Sequence, residues 1–234
     1  MTIADTSIPS LYVEGVSDVS VVNGLLLRHG VDTDHGRQLL NIKHKGNVDS
    51  VLDVIPEVIL SSTDHPVGFV IDIDIQIADR WNAVAGKLRN VGLTHPGKCP
   101  ALGYFGQIPD YPHPFGIWLM PDCVSDHGKI EHLIKSLIQD DDPLWPHSVQ
   151  SVKQAAVLID SANRGVDEAM HWERFREIDR IKSEIHTWLS WQRYPGAPLG
   201  AAIRHRILAH DSAMALNFLR WLGVLYSLPQ LAVI

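Results

Sequence analysis

Residues 67–74 read Val-Gly-Phe-Val-Ile-Asp-Ile-Asp. An apolar run of this kind is expected as a central β-strand buried on both faces. Alternation along the strand then places Asp72 and Asp74 on one face at its carboxyl end. A central strand needs neighbours, and the chain offers three. Leu11-Tyr12-Val13 ends at Glu14-Gly15, Leu39-Leu40-Asn41-Ile42 is a further candidate, and Gly116-Ile117-Trp118-Leu119-Met120 ends at Pro121-Asp122.

The intervening segments have helical period. Asp18 to His29 presents Val21, Val22, Leu25 and Leu26 on one face, with Gly30 as its stop. Asn47 is placed to cap a helix carrying Val48, Val51, Leu52 and Ile55, which Pro56 is expected to kink or end. Trp81, Val84 and Leu88 mark a third helix, and Ile130, Leu133, Ile134 and Leu137 a fourth. Residues 94–114 are rich in Pro and Gly and read as loop. Past the break at Asp140 to Pro146 the pattern is wholly helical, over 149–159, 172–191, 201–208 and 211–226. Strands alternating with helices predict an α/β fold with a mainly parallel sheet, right-handed crossovers and a C-terminal helical extension. Ligands in such sheets bind beyond the carboxyl ends of the strands. Glu14, Asp72, Asp74 and Asp122 are expected there.

Gathering four carboxylates is costly, since charges about 4 Å apart repel by roughly 4 kcal/mol at an effective dielectric near 20. A cation or raised pKa values must relieve that repulsion. Mg²⁺ suits an all-oxygen donor set and commonly links carboxylates to phosphate oxygens. Two ions about 4 Å apart could stabilise both the attacking and the leaving oxygen of a phosphoryl displacement.

Composition narrows the field. Acidic residues number 27 against 20 basic, a net charge of −7, which argues against a basic, sequence-independent nucleic-acid coat protein. Two cysteines, Cys99 and Cys123, cannot build a four-cysteine zinc site, and free thiols are expected. The 13 histidines are scattered without zincin spacing. Neither a secretory signal at Met1 to Ser10 nor an apolar span is visible, so a cytoplasmic, soluble protein is expected.

Leu11-Tyr12-Val13-Glu14-Gly15-Val16-Ser17-Asp18 resembles the first motif of Toprim domains, a strand ending in Glu-Gly with an Asp opening the next helix. Val70-Ile71-Asp72-Ile73-Asp74 resembles their Asp-x-Asp motif, in the same order and spacing. Toprim domains occur in topoisomerases, bacterial primases, small ribonucleases and OLD-family nucleases. The chain is most similar to a small, standalone Toprim-like family. Trp118-Leu119-Met120-Pro121-Asp122, Gly128-Lys129-Ile130-Glu131, Lys182 to Leu189 and Pro195 to Gly200 carry that likeness, so it runs from about Leu11 to Trp221. The resemblance implies a Toprim-like core over 8–145 and a helical extension over 146–234 packed on it. It implies Glu14 as a metal ligand or acid/base group, Asp18 supporting it, and Asp72 and Asp74 holding Mg²⁺, with Mn²⁺ as a substitute. Asp122 and Glu131 would complete a second metal position, and Lys182 would stabilise developing phosphate charge. Two departures stand out: Cys123 where an asparagine is expected, and His132 where an acid is expected.

Each residue also has a plainer role to fill. Asp18 can cap its helix, Asp122 can hold a turn, and Glu131 sits in a first turn that favours carboxylates. Lys182 can be a solvated helix residue, and Asp140-Asp141-Asp142 a solvated loop. Trp172, Trp188, Trp191 and Trp221 fall at helical spacing and are expected in the core. Gly92 to Cys99 nearly spells a phosphate-binding loop, but Cys99 replaces its Ser/Thr and Pro100 opposes the helix that should follow.

Together these features predict a Mg²⁺-dependent phosphodiesterase acting on DNA or RNA, a Toprim nuclease. By resemblance it would be an effector in phage defence working with a separate ATPase. The alternative is a non-catalytic module that binds a metal and a phosphorylated ligand. Homo-oligomerisation is left open. Two bound Mg²⁺ would bring −7 to about −3, so nucleic-acid binding is expected to be weak without divalent metal.

Overall fold

The computed structural model describes residues 8–31 and 39–232. The stretch from Met1 to Ser10, where no signal was visible, lies outside that description over residues 1–7. The fold is α/β. Five strands, β1 (Ser10–Val13), β2 (Asn41–His44), β3 (Val67–Asp72), β4 (Tyr104–Gly106) and β5 (Phe115–Met120), form one sheet in the order β2-β1-β3-β5-β4. All pairings are parallel except that of β4 with β5. β1, β3 and β5 are central and almost wholly buried, as their apolar runs require. β4 was expected as loop; it is an edge strand of three residues, partly buried with Phe105 exposed, and too short to carry a periodic signal.

The strands are connected by α1 (Val16–Arg28), α2 (Val48–Ser61) and α3 (Ile77–Arg89), and α4 (Ile130–Lys135) follows β5. Asn47 caps α2 as expected, accepting the Ser50 N–H at 2.9 Å. Pro56 does not end α2, which runs on to Ser61. Ile59 is buried one turn beyond the proline on the same face as Val51, Leu52 and Ile55, so burial outweighs the one lost hydrogen bond.

Residues 1–137 and 198–234 form one unit, and residues 138–197 a second. The division thus differs from a single boundary after residue 145. The closing helices α7 (Leu199–Arg204), α8 (Ala213–Leu225) and α9 (Pro229–Ala232) belong with the sheet. Gly68 and Gly116 are paired in register on adjacent strands. A side chain at either would run into Leu225 of α8, and at Gly116 into Trp221 as well. These two glycines therefore clear the sheet face for α8. Trp118, Phe218 and Trp221 pack ring against ring there, with centroids 5.5 to 6.0 Å apart. The Tyr226 hydroxyl donates to the Ser10 carbonyl of β1 at 2.7 Å.

The second unit holds α5 (Leu144–Ala162) and α6 (Arg180–Ser190) with two short 3₁₀ turns between them. The long helix expected over 172–191 is reduced to α6, because residues 171–176 are irregular. Trp188 and Trp221 are core residues, whereas Trp172 is 72 % exposed and Trp191 39 %, against expectation. Asp142 is more than a solvated loop residue. It accepts the Leu144 and Trp145 N–H groups at the start of α5 and the Trp188 indole N–H at 3.1 Å. Among the described residues no helix is long and apolar enough to cross a membrane.

Candidate functional site

Glu14 follows β1 directly, and its Oε1 accepts the Asp72 backbone N–H at 2.8 Å. This bond joins the carboxyl ends of the two central strands. The next turn opens α1, where the Gly15 N–H donates to Asp18 Oδ2. Glycine has no side chain to reciprocate, so this is half of a capping box. Asp18 is nevertheless more than a cap: it is 8 % exposed and its charge bears on both Glu14 and Asp72.

Asp72 closes β3, and its Oδ1 accepts the Ile130 N–H at 3.1 Å. The expected alternation stops there. Asp74 has φ of 62°, a left-handed conformation, and pairs its backbone with Gly128 in an isolated bridge. Its carboxylate turns to Arg80 Nη2 at 2.7 Å and to Lys129 Nζ at 3.4 Å. Asp72 and Asp74 therefore do not share a strand face, yet both charges act on Glu14 or on each other.

Glu131 and Asp122 part company. Glu131 is buried in the first turn of α4 and its charge raises Asp72. Asp122 accepts the Val124 and Ser125 N–H groups and the Ser125 hydroxyl. That is an Asx turn holding its own loop, and Asp122 is not among the charges acting on Asp72. Lys182, expected near the phosphate, is an exposed residue of α6 in the second unit. Among the described residues, Arg80 and Lys129 pair with Asp74, and sequence reasoning missed both. Their signals were present: Arg80 lies in the first turn of the helix after Asp74, and Lys129 inside the Gly-Lys-Ile-Glu segment.

Both departures find a local account. His132 Nδ1 accepts the Lys129 N–H at 3.1 Å, the capping role an acid would otherwise fill. Cys123 is 3 % exposed, its Sγ accepts the Leu119 N–H at 3.2 Å, and it makes a side-chain contact with Cys99. Both cysteines are free.

Electrostatics single out two groups. Burial, with Asp74 and Asp18 adding repulsion, pushes Glu14 up to about 7, although the Asp72 N–H and Arg80 pull the other way. Burial and then the charges of Glu14, Asp18, Glu131 and Asp74 push Asp72 well above the usual carboxylate range. The cost of gathering carboxylates is thus met by protonation. Among the described residues no three His, Cys, Asp or Glu side chains are arranged to grip a metal ion as they stand. In this arrangement one oxygen of each of Glu14, Asp18 and Asp72 accepts a backbone N–H, and Asp74 pairs with cations. The donor chemistry does fit Mg²⁺, for every group is a hard oxygen donor, and a bound cation would relieve the repulsion in place of the protons.

Gly92 to Cys99 is an irregular loop with no helix after it, so no phosphate-binding loop forms there. No curated protein and no solved structure matches the chain. The model of the family described as "Protein of unknown function (DUF3226)" matches residues 9–227, nearly the full length, and the chain belongs to that family.

Proposed function

We propose that the chain is a Mg²⁺-dependent phosphodiesterase acting on nucleic acid, a nuclease of the Toprim kind. One observation carries this reading: Glu14 and Asp72 meet at the carboxyl ends of β1 and β3, and the charges of Asp18 and Glu131 bear on them. The resemblance of the Glu-Gly and Asp-x-Asp segments supports it.

Asp72 and Glu131 would hold the cation, which when bound supplies charge neutralisation and a more acidic water, leaving Glu14 beside it as the acid/base group. Glu14, with its pKa near 7, exchanges a proton readily at neutral pH. It is suited to accept the proton of an attacking water or to protonate the leaving oxygen. Asp74 keeps Arg80 and Lys129 at the same edge, where they would orient a phosphate and offset charge as it develops. A separate ATPase partner and a role in phage defence enter this reading through the resemblance alone.

The second reading, a non-catalytic module for a metal and a phosphorylated ligand, draws on the engagement of Glu14 and Asp18 with backbone donors. One assay separates the two. Pure protein is incubated with single- and double-stranded DNA and RNA, with Mg²⁺ or Mn²⁺. The nuclease reading expects cleavage that falls by about a hundredfold or more in Glu14→Ala and Asp72→Ala. Cleavage that survives both substitutions contradicts the assigned site, and no cleavage of any substrate favours the binding module.

A further inference from the structure

A cavity of about 370 Å³ opens beside the β5–α4 loop and α4, lined by Ser125, His127, His132, Lys135 and Ser136 together with Pro121 and Met214. That volume falls within the range of small-ligand pockets. The donors facing it are unusual for a chain of net charge −7. His127 and His132 meet edge to face with centroids 5.9 Å apart, and Lys135 follows His132 by three residues on α4. Asp126 is the single carboxylate among the lining residues.

The hydrogen bonding fixes what these groups offer. Because His132 Nδ1 accepts the Lys129 N–H, the neutral ring carries its proton on Nε2 and presents a donor. The hydroxyls are oriented elsewhere: Ser125 donates to Asp122 at 3.0 Å and Ser136 to the Leu133 carbonyl at 2.7 Å. Recognition therefore falls to nitrogen donors, two imidazoles and an ammonium, which suit a tetrahedral oxyanion. α4 also links this cavity to the carboxylates. Glu131 acts on Asp72, and the next residue, His132, lines the cavity.

We propose that this cavity is a phosphate subsite, in which His127, His132 and Lys135 hold the phosphate that flanks the one at the carboxylate cluster in a nucleic-acid strand. The identity of the strand rests on the phosphodiesterase reading; the phosphate binding does not.

Inorganic phosphate is titrated into the full chain without divalent metal while imidazole NMR signals are followed. His127 and His132 signals, assigned with His127→Gln and His132→Gln, shift saturably. Lys135→Met weakens the binding about tenfold. The titration is run without divalent metal, so a failure of the nuclease reading appears in the cleavage assay and not here. The absence of a saturable shift, or an affinity untouched by both Lys135→Met and His127→Gln, overturns the subsite. A second arm measures binding of a single-stranded oligonucleotide by metal-free protein at several salt concentrations. Lys135→Met lowers the slope of log affinity against log salt by about one. An unchanged slope, with inorganic phosphate still bound, overturns the assignment to nucleic acid.

Discussion

Glu14 has a pKa near 7 because it is buried among like charges, and this ties stability to pH. A carboxyl group whose folded pKa is raised keeps its proton where the unfolded chain has lost it. Its contribution is neutral below about 4.5, and the fold loses stability as pH rises from there to about 7. The shift corresponds to about 3 kcal/mol at most, reduced by solvent screening at a partly exposed group. Metal-free wild-type protein should therefore melt lower at pH ~8 than at pH ~5.5, and Glu14→Gln should flatten that slope, as read by thermal denaturation. Asp72 adds in the same direction. How far the residues were legible depended on what fixes them. Glu14 and Asp72 could be placed because strand ends put them there, and Asp18 and Glu131 were reached through the resemblance. The pairing of Asp74 with Arg80 and Lys129 could not, because it arises from a left-handed turn and an isolated bridge that leave no periodic trace.

Among the elements, α1 and α7 approach closely enough to exclude side chains between them. A Cβ at Gly24 would lie 2.7 Å from the Gly200 carbonyl oxygen, and one at Gly200 would overlap the backbone carbonyl of Ser20. Since the obstacle is backbone, neither side can yield by changing a rotamer. Gly200→Ala should cost about 3 kcal/mol or more, measured by chemical denaturation, while Gly97→Ala on an open loop should cost far less. The same logic explains which elements sequence reasoning reached. α1, α2 and α3 follow from apolar faces that are in fact buried. α6 was overextended because Trp172 continues the period without being packed as helix, and β4 was missed because its pairing to β5 is its main definition.

For the whole molecule, the sheet is completed by residues that lie far away in sequence. Residues 198–234 return to the sheet unit, where Phe218, Trp221, Leu225 and Tyr226 are buried. A chain ending at residue 145 would leave the Gly68–Gly116 face bare and should show no cooperative thermal transition by circular dichroism; a sharp transition would contradict this packing. The negative net charge that weighs against nucleic-acid binding is in part concentrated at the carboxylate group. The central claim is that this group binds a divalent cation. Mn²⁺ titration followed by electron paramagnetic resonance tests it most directly. Wild-type protein and Asp122→Asn should bind Mn²⁺ alike, and Asp72→Asn and Glu131→Gln should bind it about tenfold more weakly or worse. Failure of the wild type to bind Mn²⁺, or loss of binding in Asp122→Asn with retention in Glu131→Gln, would contradict it.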